Sequence, residues 1–231
     1  LTNIGILILS LKKNNFMDKI VIIIIIVNVL FSLKGFSDRL FFEKYKFQIG
    51  PILNGEQIRM FSSGFLHVDQ AHLFFNMFAL YVFADDVIHQ LGILKFLLIY
   101  VGSLLAGSTL ALSFHKKEPY YSAVGASGAI MGVVYAAIML NPHMELRFIF
   151  FPFFGIPGYV FGVGYLLYSM YGMKAQLGNT GHSAHLGGAV GGFVLTLALY
   201  PQVFIQNKTM VIILAIPILL MFIFKNKLEN K

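Results

Sequence analysis

Apolar runs of near-bilayer length recur from one end of this chain to the other, and no other feature constrains its fold as tightly. Residues 20–33, 71–84, 96–114, 123–140, 148–172 and 184–200 carry little charge, and several approach the ~20 residues a helix needs to cross a hydrocarbon core of ~30 Å. Backbone in lipid must satisfy its own hydrogen bonds, which helices do internally. Only 12% of residues are charged while 58% are hydrophobic, and mean hydropathy is +0.77. Soluble domains carry roughly twice that charge. The chain therefore reads as an all-α polytopic membrane protein, a six-helix bundle with a seventh span at residues 210–224. That last run of about 15 residues would cover ~22 Å as a helix.

The expected organisation is an N-terminal segment (1–18), a six-span unit (19–200) and a C-terminal segment with the extra span (201–231). The first span is bracketed by Lys19 and Lys34, the second is expected to stop at Asp85 and Asp86, and the fourth at Asn141 and Pro142. Between the first two, residues 34–70 mix charges with Phe41, Phe42, Tyr45 and Phe47, as a segment lying in the membrane interface would. Residues 1–11 are apolar but precede the basic pair Lys12 and Lys13, so no cleavable signal is expected. Lys12, Lys13 and Lys19 favour a cytoplasmic start, and Lys225, Lys227 and Lys231 favour the same side for the end. Seven spans cannot satisfy both.

The net charge of +7 does not indicate nucleic acid, because the basic residues sit mainly at span ends. The bilayer is the expected partner, in the cell (plasma) membrane. Without cysteine there is no disulfide or thiolate metal site.

Polar side chains inside spans are costly and point to function. Three clusters stand out: His67, His72 and Asn76 at the second span, Gly125-Ala126-Ser127-Gly128 at the fourth, and His182-Ser183-Ala184-His185 at the sixth. Even-numbered spans cross in one direction, so their first turns share a membrane face. His72, Asn76, Ser127 and His185 each fall within about two turns of that face, ~10 Å of depth. His72 and Asn76 are i and i+4 on one helix face. Gly128 and Gly132 are i and i+4 beside Ser127, and His185, Gly188 and Gly192 form one stripe. Small-residue stripes let membrane helices approach backbone to backbone, which would bring Ser127 and His185 within hydrogen-bonding reach.

A serine beside a histidine is an activated nucleophile. His72, Asn76 and the Ser127 N–H could supply donors for the oxyanion of a tetrahedral intermediate. No Asp or Glu lies in the spans near this face, so the expectation is a Ser127–His185 dyad. His182, one turn before His185, could compete as base, but His185 shares the glycine stripe. Gly102 with Ala106 and Ser103 with Gly107 read as packing, and His89, His115 and His143 as solvated. His67, His72 and Asp69 could suggest zinc, yet no His-Glu-x-x-His pattern occurs, so neither metal nor cofactor is expected.

Together, in order, these three segments resemble the rhomboid intramembrane serine proteases: His67, His72 and Asn76; Gly125-Ala126-Ser127-Gly128; and Ala184-His185-x-x-Gly188-x-x-x-Gly192. The resemblance covers residues 59–200. It implies a rhomboid-like bundle in which Ser127 is nucleophile, His185 general base, and His72, Asn76 and the Ser127 N–H form the oxyanion hole. Gly125 would precede the nucleophile loop, with His67 supporting the start of the second span. The first connection would be a membrane-embedded hairpin loop and the fifth span a lateral substrate gate. The implied substrates are single-pass or other transmembrane proteins, cut in or near their membrane segments. Two positions depart from the family pattern. Many members carry Trp-Arg in the first loop, where this chain has Ile58-Arg59, and an aromatic four residues after the nucleophile, where it has Met131. Rival readings are a non-catalytic client-binding relative, which would lack the nucleophile or the base, and a transporter, which would want charge near mid-bilayer.

Overall fold

The computed structural model describes residues 18–148, 151–175 and 181–224. The N-terminal segment and the C-terminal lysines lie almost wholly outside these. Four of the described helices are long and apolar enough to cross a membrane: α1 (Lys19–Ser37), α5 (Gln70–Leu91), α6 (Ile93–His115) and α9 (His182–Leu199). Two shorter apolar helices, α7 (Ser127–Leu140) and α11 (Lys208–Ile223), and a further helix, α8 (Gly158–Ala175), complete the set. The protein is a polytopic, all-α membrane protein.

Local chemistry sets the helix ends. Asp18 Oδ1 accepts from the Ile20 N–H at 2.9 Å to start α1, and Asp69 Oδ1 accepts from the His72 N–H at 2.7 Å to start α5. Helix α5 runs past Asp85 and Asp86, where the sequence suggested a stop, and ends only at Gly92, whose φ of 82° breaks the helix. Carboxylates do not interrupt a backbone ladder; a left-handed residue does.

The fifth span differs most from expectation. The described residues 148 and 151–157 are not helical: Glu145–Phe148 (β3) and Phe151–Pro157 (β4) pair antiparallel. Pro152 and Pro157 explain this, since each lacks the N–H a helix interior needs. Pro157 then directly precedes α8, whose first turn leaves such donors unused anyway.

At the centre stands α7. Every residue from Gly128 to Leu140 is buried, because α5, α6 and α9 pack around it. Its closest partner faces are built from small residues. A Cβ added at Gly188 would overlap the carbonyl oxygen of Gly128, and one at Gly192 would overlap the Gly132 backbone. The α6–α9 contact is built the same way: a Cβ added at Gly187 would come 2.7 Å from the Ala106 carbonyl oxygen, and one at Gly107 2.5 Å from that of Ala184. Both stripes read from the sequence therefore pack backbone to backbone. Helix α11, which contains Pro217 and follows the short α10 (Gln202–Gln206), lies chiefly against α8, while Ile23, Ile26, Leu30 and Leu33 of α1 face outward.

The connection after α1 folds into short pieces, among them α2 (Arg39–Tyr45), α3 (Ile49–Leu53) and α4 (Arg59–Ser62). Arg59 is buried at its centre: Nε donates to Glu56 Oε2 at 2.7 Å, and Nη1 donates to the carbonyls of Glu43 at 2.7 Å and Lys46 at 3.1 Å. The neighbouring Ile58, in the place of the family's tryptophan, is exposed. The guanidinium, with the Ser62 hydroxyl that donates to the Tyr45 carbonyl at 2.8 Å, ties this loop together. Its strand β1 (Phe47–Gln48) pairs antiparallel with β2 (Ser122–Ala123), just ahead of Ser127.

Candidate active site

Helix α7 has 14 residues, about 21 Å at 1.5 Å per residue. Against a ~30 Å core it falls short by about 9 Å. The missing depth is filled by extended chain, β2 through Gly125, rather than by the helix the sequence suggested from residue 123. With the far end of α7 at one membrane face, its first residue, Ser127, would lie below the other.

Three contacts hold the segment before Ser127. Gly125 N–H donates to the Ser63 carbonyl at 3.0 Å, and Gln48 pairs with Ser122 in the β1–β2 ladder. Ala126 N–H donates to His67 Nε2 at 3.5 Å. That contact requires Nε2 to be unprotonated, so Nδ1 carries the proton and donates to Ser32 Oγ at 2.9 Å. Ser32 in turn donates to the Phe65 carbonyl at 3.1 Å. The result is an unbroken chain of donors and acceptors from α1 to the residue before Ser127. Burial pushes the His67 imidazole down to about 3, which keeps it in the neutral form this chain needs. Asp69 caps the start of α5.

Gly125 is glycine for two reasons: its φ is 128°, and a Cβ there would sit 2.8 Å from the His72 imidazole. The His72 ring thus lies directly over the loop before Ser127, edge-on to His67 at 4.9 Å between centroids. Asn76, one turn on, is buried and donates one amide N–H to the His72 carbonyl at 2.9 Å; the amide carries a second. The N–H of Ser127, at the start of α7, is among the four that a helix leaves without an internal acceptor.

Across from α7, His185 Nε2 lies 2.5 Å from Ser127 Oγ. The Gly188 and Gly192 contacts with Gly128 and Gly132 set this approach. His182 points elsewhere: it is buried, packs edge-on to Tyr168 at 5.3 Å, and lies over Gly172. Of the two candidate histidines, only His185 bonds to Ser127.

Two features were not anticipated. Tyr165 of α8 places its hydroxyl 2.6 Å from His185 Nδ1 and its ring centroid 6.0 Å from the imidazole. With Met131 at the position where the family pattern has an aromatic, the ring beside His185 comes from a different helix. Tyr165 lies beside Gly162 and Ser169 on the buried stripe of α8, but that spacing does not name its partner. The second is His115, expected in solvent. It is stacked on Tyr121 at 3.6 Å with the rings 6° from parallel, and its Nδ1 is 3.2 Å from Glu118. His89 and His143 are exposed as expected.

These groups line one cleft of about 990 Å³ that takes in His72, Asn76, Gly125, Ser127 and His185, together with His115 and Tyr121.

Residues 54–202 match the Rhomboid domain family. Among curated relatives, "Rhomboid protease GluP" of Bacillus subtilis (strain 168) is 35% identical over 151 residues, 64% of this chain and 27% of that protein. "Rhomboid protein 1, mitochondrial" of Saccharomyces cerevisiae is 31% identical over 141 residues, 59% of this chain and 40% of that one. "Putative rhomboid protease YdcA" of Bacillus subtilis (strain 168) is 39% identical over 83 residues, 36% of this chain and 40% of the relative. The matched stretch spans less than half the length of each of these proteins. A family match over most of the chain, with relatives bearing the rhomboid name from a bacterium and a yeast, leads to one statement: this chain belongs to the rhomboid family.

Proposed function

We propose that the protein is an intramembrane serine endopeptidase that hydrolyses peptide bonds in or near the transmembrane segments of other membrane proteins. The observation that carries this is the 2.5 Å contact between Ser127 Oγ and His185 Nε2 at the recessed start of α7. His185 takes the hydroxyl proton as Ser127 Oγ attacks the scissile carbonyl carbon. The oxyanion that develops is held by the Ser127 N–H, by the free N–H of the Asn76 amide and by His72. Collapse expels the amine, which leaves with the proton from His185, and an acyl ester remains on Ser127. Water entering through the cleft, deprotonated by the same imidazole, releases the acid product.

The recessed site fits a substrate that arrives through the bilayer. A helical peptide bond has its carbonyl engaged and shielded, so the substrate must unwind locally before attack. Small residues such as Gly near the cut would ease that. The proposed catalytic unit is residues 19–200, with 201–231 appended. The proposed location is the plasma membrane; fractionation of the tagged protein separates this from the mitochondrial membranes suggested by relatives so named.

The test is incubation of the purified protein, in liposomes, with a panel of tagged single-pass membrane proteins. Cleavage by the native chain and none by Ser127→Ala is expected. Stable capture of such a substrate without cleavage would replace the protease by a client-binding protein of the same fold.

A further inference from the structure

A neutral imidazole has one ring proton to place, and its location decides whether His185 can act as a base. With the proton on Nδ1, Nε2 presents a lone pair to the Ser127 hydroxyl. With it on Nε2, the ring donates toward Ser127 and cannot accept its proton. The partner of the distal nitrogen makes this choice, and that partner is the Tyr165 hydroxyl, 2.6 Å from Nδ1. We propose that Tyr165 is the positioning residue of this site, holding His185 in the Nδ1–H tautomer and aiming Nε2 at Ser127. This rests on the reading of Ser127 as nucleophile and His185 as base.

Three observations support it. First, the tyrosine is anchored to the nucleophile's own helix, since the Tyr135 hydroxyl of α7 donates to the carbonyl of Gly162, one turn before Tyr165 on α8. Second, Ser169 stands one turn beyond Tyr165, fully buried with its Oγ unbonded, so a rotation of the two side chains offers the phenol proton an acceptor on its own helix face. The Tyr165 oxygen is then left to accept from Nδ1–H. Third, both ends of the imidazole are held, Nε2 at 2.5 Å and Nδ1 at 2.6 Å, which leaves the ring no freedom to flip.

In the reaction, the Ser127 proton passes to Nε2 and later to the leaving amine. Nδ1–H continues to donate to Tyr165 throughout, and tyrosine neither gains nor loses a proton. A neutral phenol orients the ring but supplies no full negative charge. The expected effect is that of one neutral hydrogen bond, about tenfold in rate.

The experiment measures inactivation of the full chain, in bicelles, by a small tagged fluorophosphonate, which needs no identified substrate. Tyr165→Phe should lower the maximal inactivation rate about tenfold while leaving the half-saturating concentration and the melting temperature unchanged. Tyr168→Phe, whose ring faces His182, should behave as the native chain. A native rate for Tyr165→Phe, or a lower melting temperature with an unchanged rate, overturns the assignment. Native labelling of Ser127→Ala or His185→Ala would instead overturn the underlying dyad, so the two failures are distinguishable.

Discussion

The glycines that join α7 to α9 look interchangeable in the sequence, but they are not in space, and this gives an asymmetric prediction. A methyl at Gly188 would overlap the backbone carbonyl of Gly128, which cannot swing away as a side chain can. At Gly128, a Cβ would sit 3.3 Å from the Ala184 carbonyl oxygen, tight but close to ordinary contact. Gly188→Ala therefore forces α9 away from α7 by on the order of 1 Å, a misplacement that can cost ~10²-fold in rate. The packing loss should be about 3 kcal/mol, the upper end of overpacking penalties. The gain from replacing a helical glycine, ~1 kcal/mol, offsets it only in part. For Gly128→Ala the same gain roughly cancels a strain of a few tenths of an ångström, so stability should stay within about 1 kcal/mol of native. Thermal unfolding in detergent and cleavage of a transmembrane substrate, measured on both variants, make the comparison. Native stability and activity for Gly188→Ala, or greater damage from Gly128→Ala, would refute the account of this interface.

Two further outcomes are expected. Asn76→Ala should lower kcat by about 10²-fold with little change in KM or melting temperature, as loss of one oxyanion donor does; a large stability loss with normal turnover would make Asn76 a structural tie through His72 alone. His67 is neutral when folded, with a value near 3 against 6.5 when exposed, so the unfolded state binds the extra proton between those values. Stability should therefore be complete above about pH 6.5 and fall as the pH drops toward 3; in equilibrium unfolding across that range His67→Gln should flatten the slope, and an unchanged slope would contradict the neutral His67 chain.

The parts of the molecule legible in the sequence are those governed by helical period. Ser127, His185, Gly188 and Gly192 could be placed on facing stripes because 3.6 residues per turn fixes which side chains share a face. The shared depth of His72, Asn76 and Ser127 followed from spans running in one direction. What failed was the reading of an apolar run as a helix. Residues 148–157 are as apolar as a span, and hydrophobicity alone does not separate strand from helix; Pro152, Gly155 and Pro157 were the signal. The same limit hid the short length of α7, which begins only at Ser127 after the β2 strand and Gly125. Tyr165 was invisible for another reason. Its contact with His185 depends on how α8 docks after the β3–β4 pair, and no spacing along the chain encodes that.

The central claim is that Ser127 is a nucleophile made reactive by His185, and covalent trapping tests it most directly. The full chain in bicelles is exposed to a tagged fluorophosphonate, digested, and the adduct located by mass spectrometry. The account predicts one adduct, on Ser127, lost in His185→Ala and retained in His182→Ala. An adduct on another serine, or labelling of Ser127 that is unchanged in His185→Ala, would contradict it.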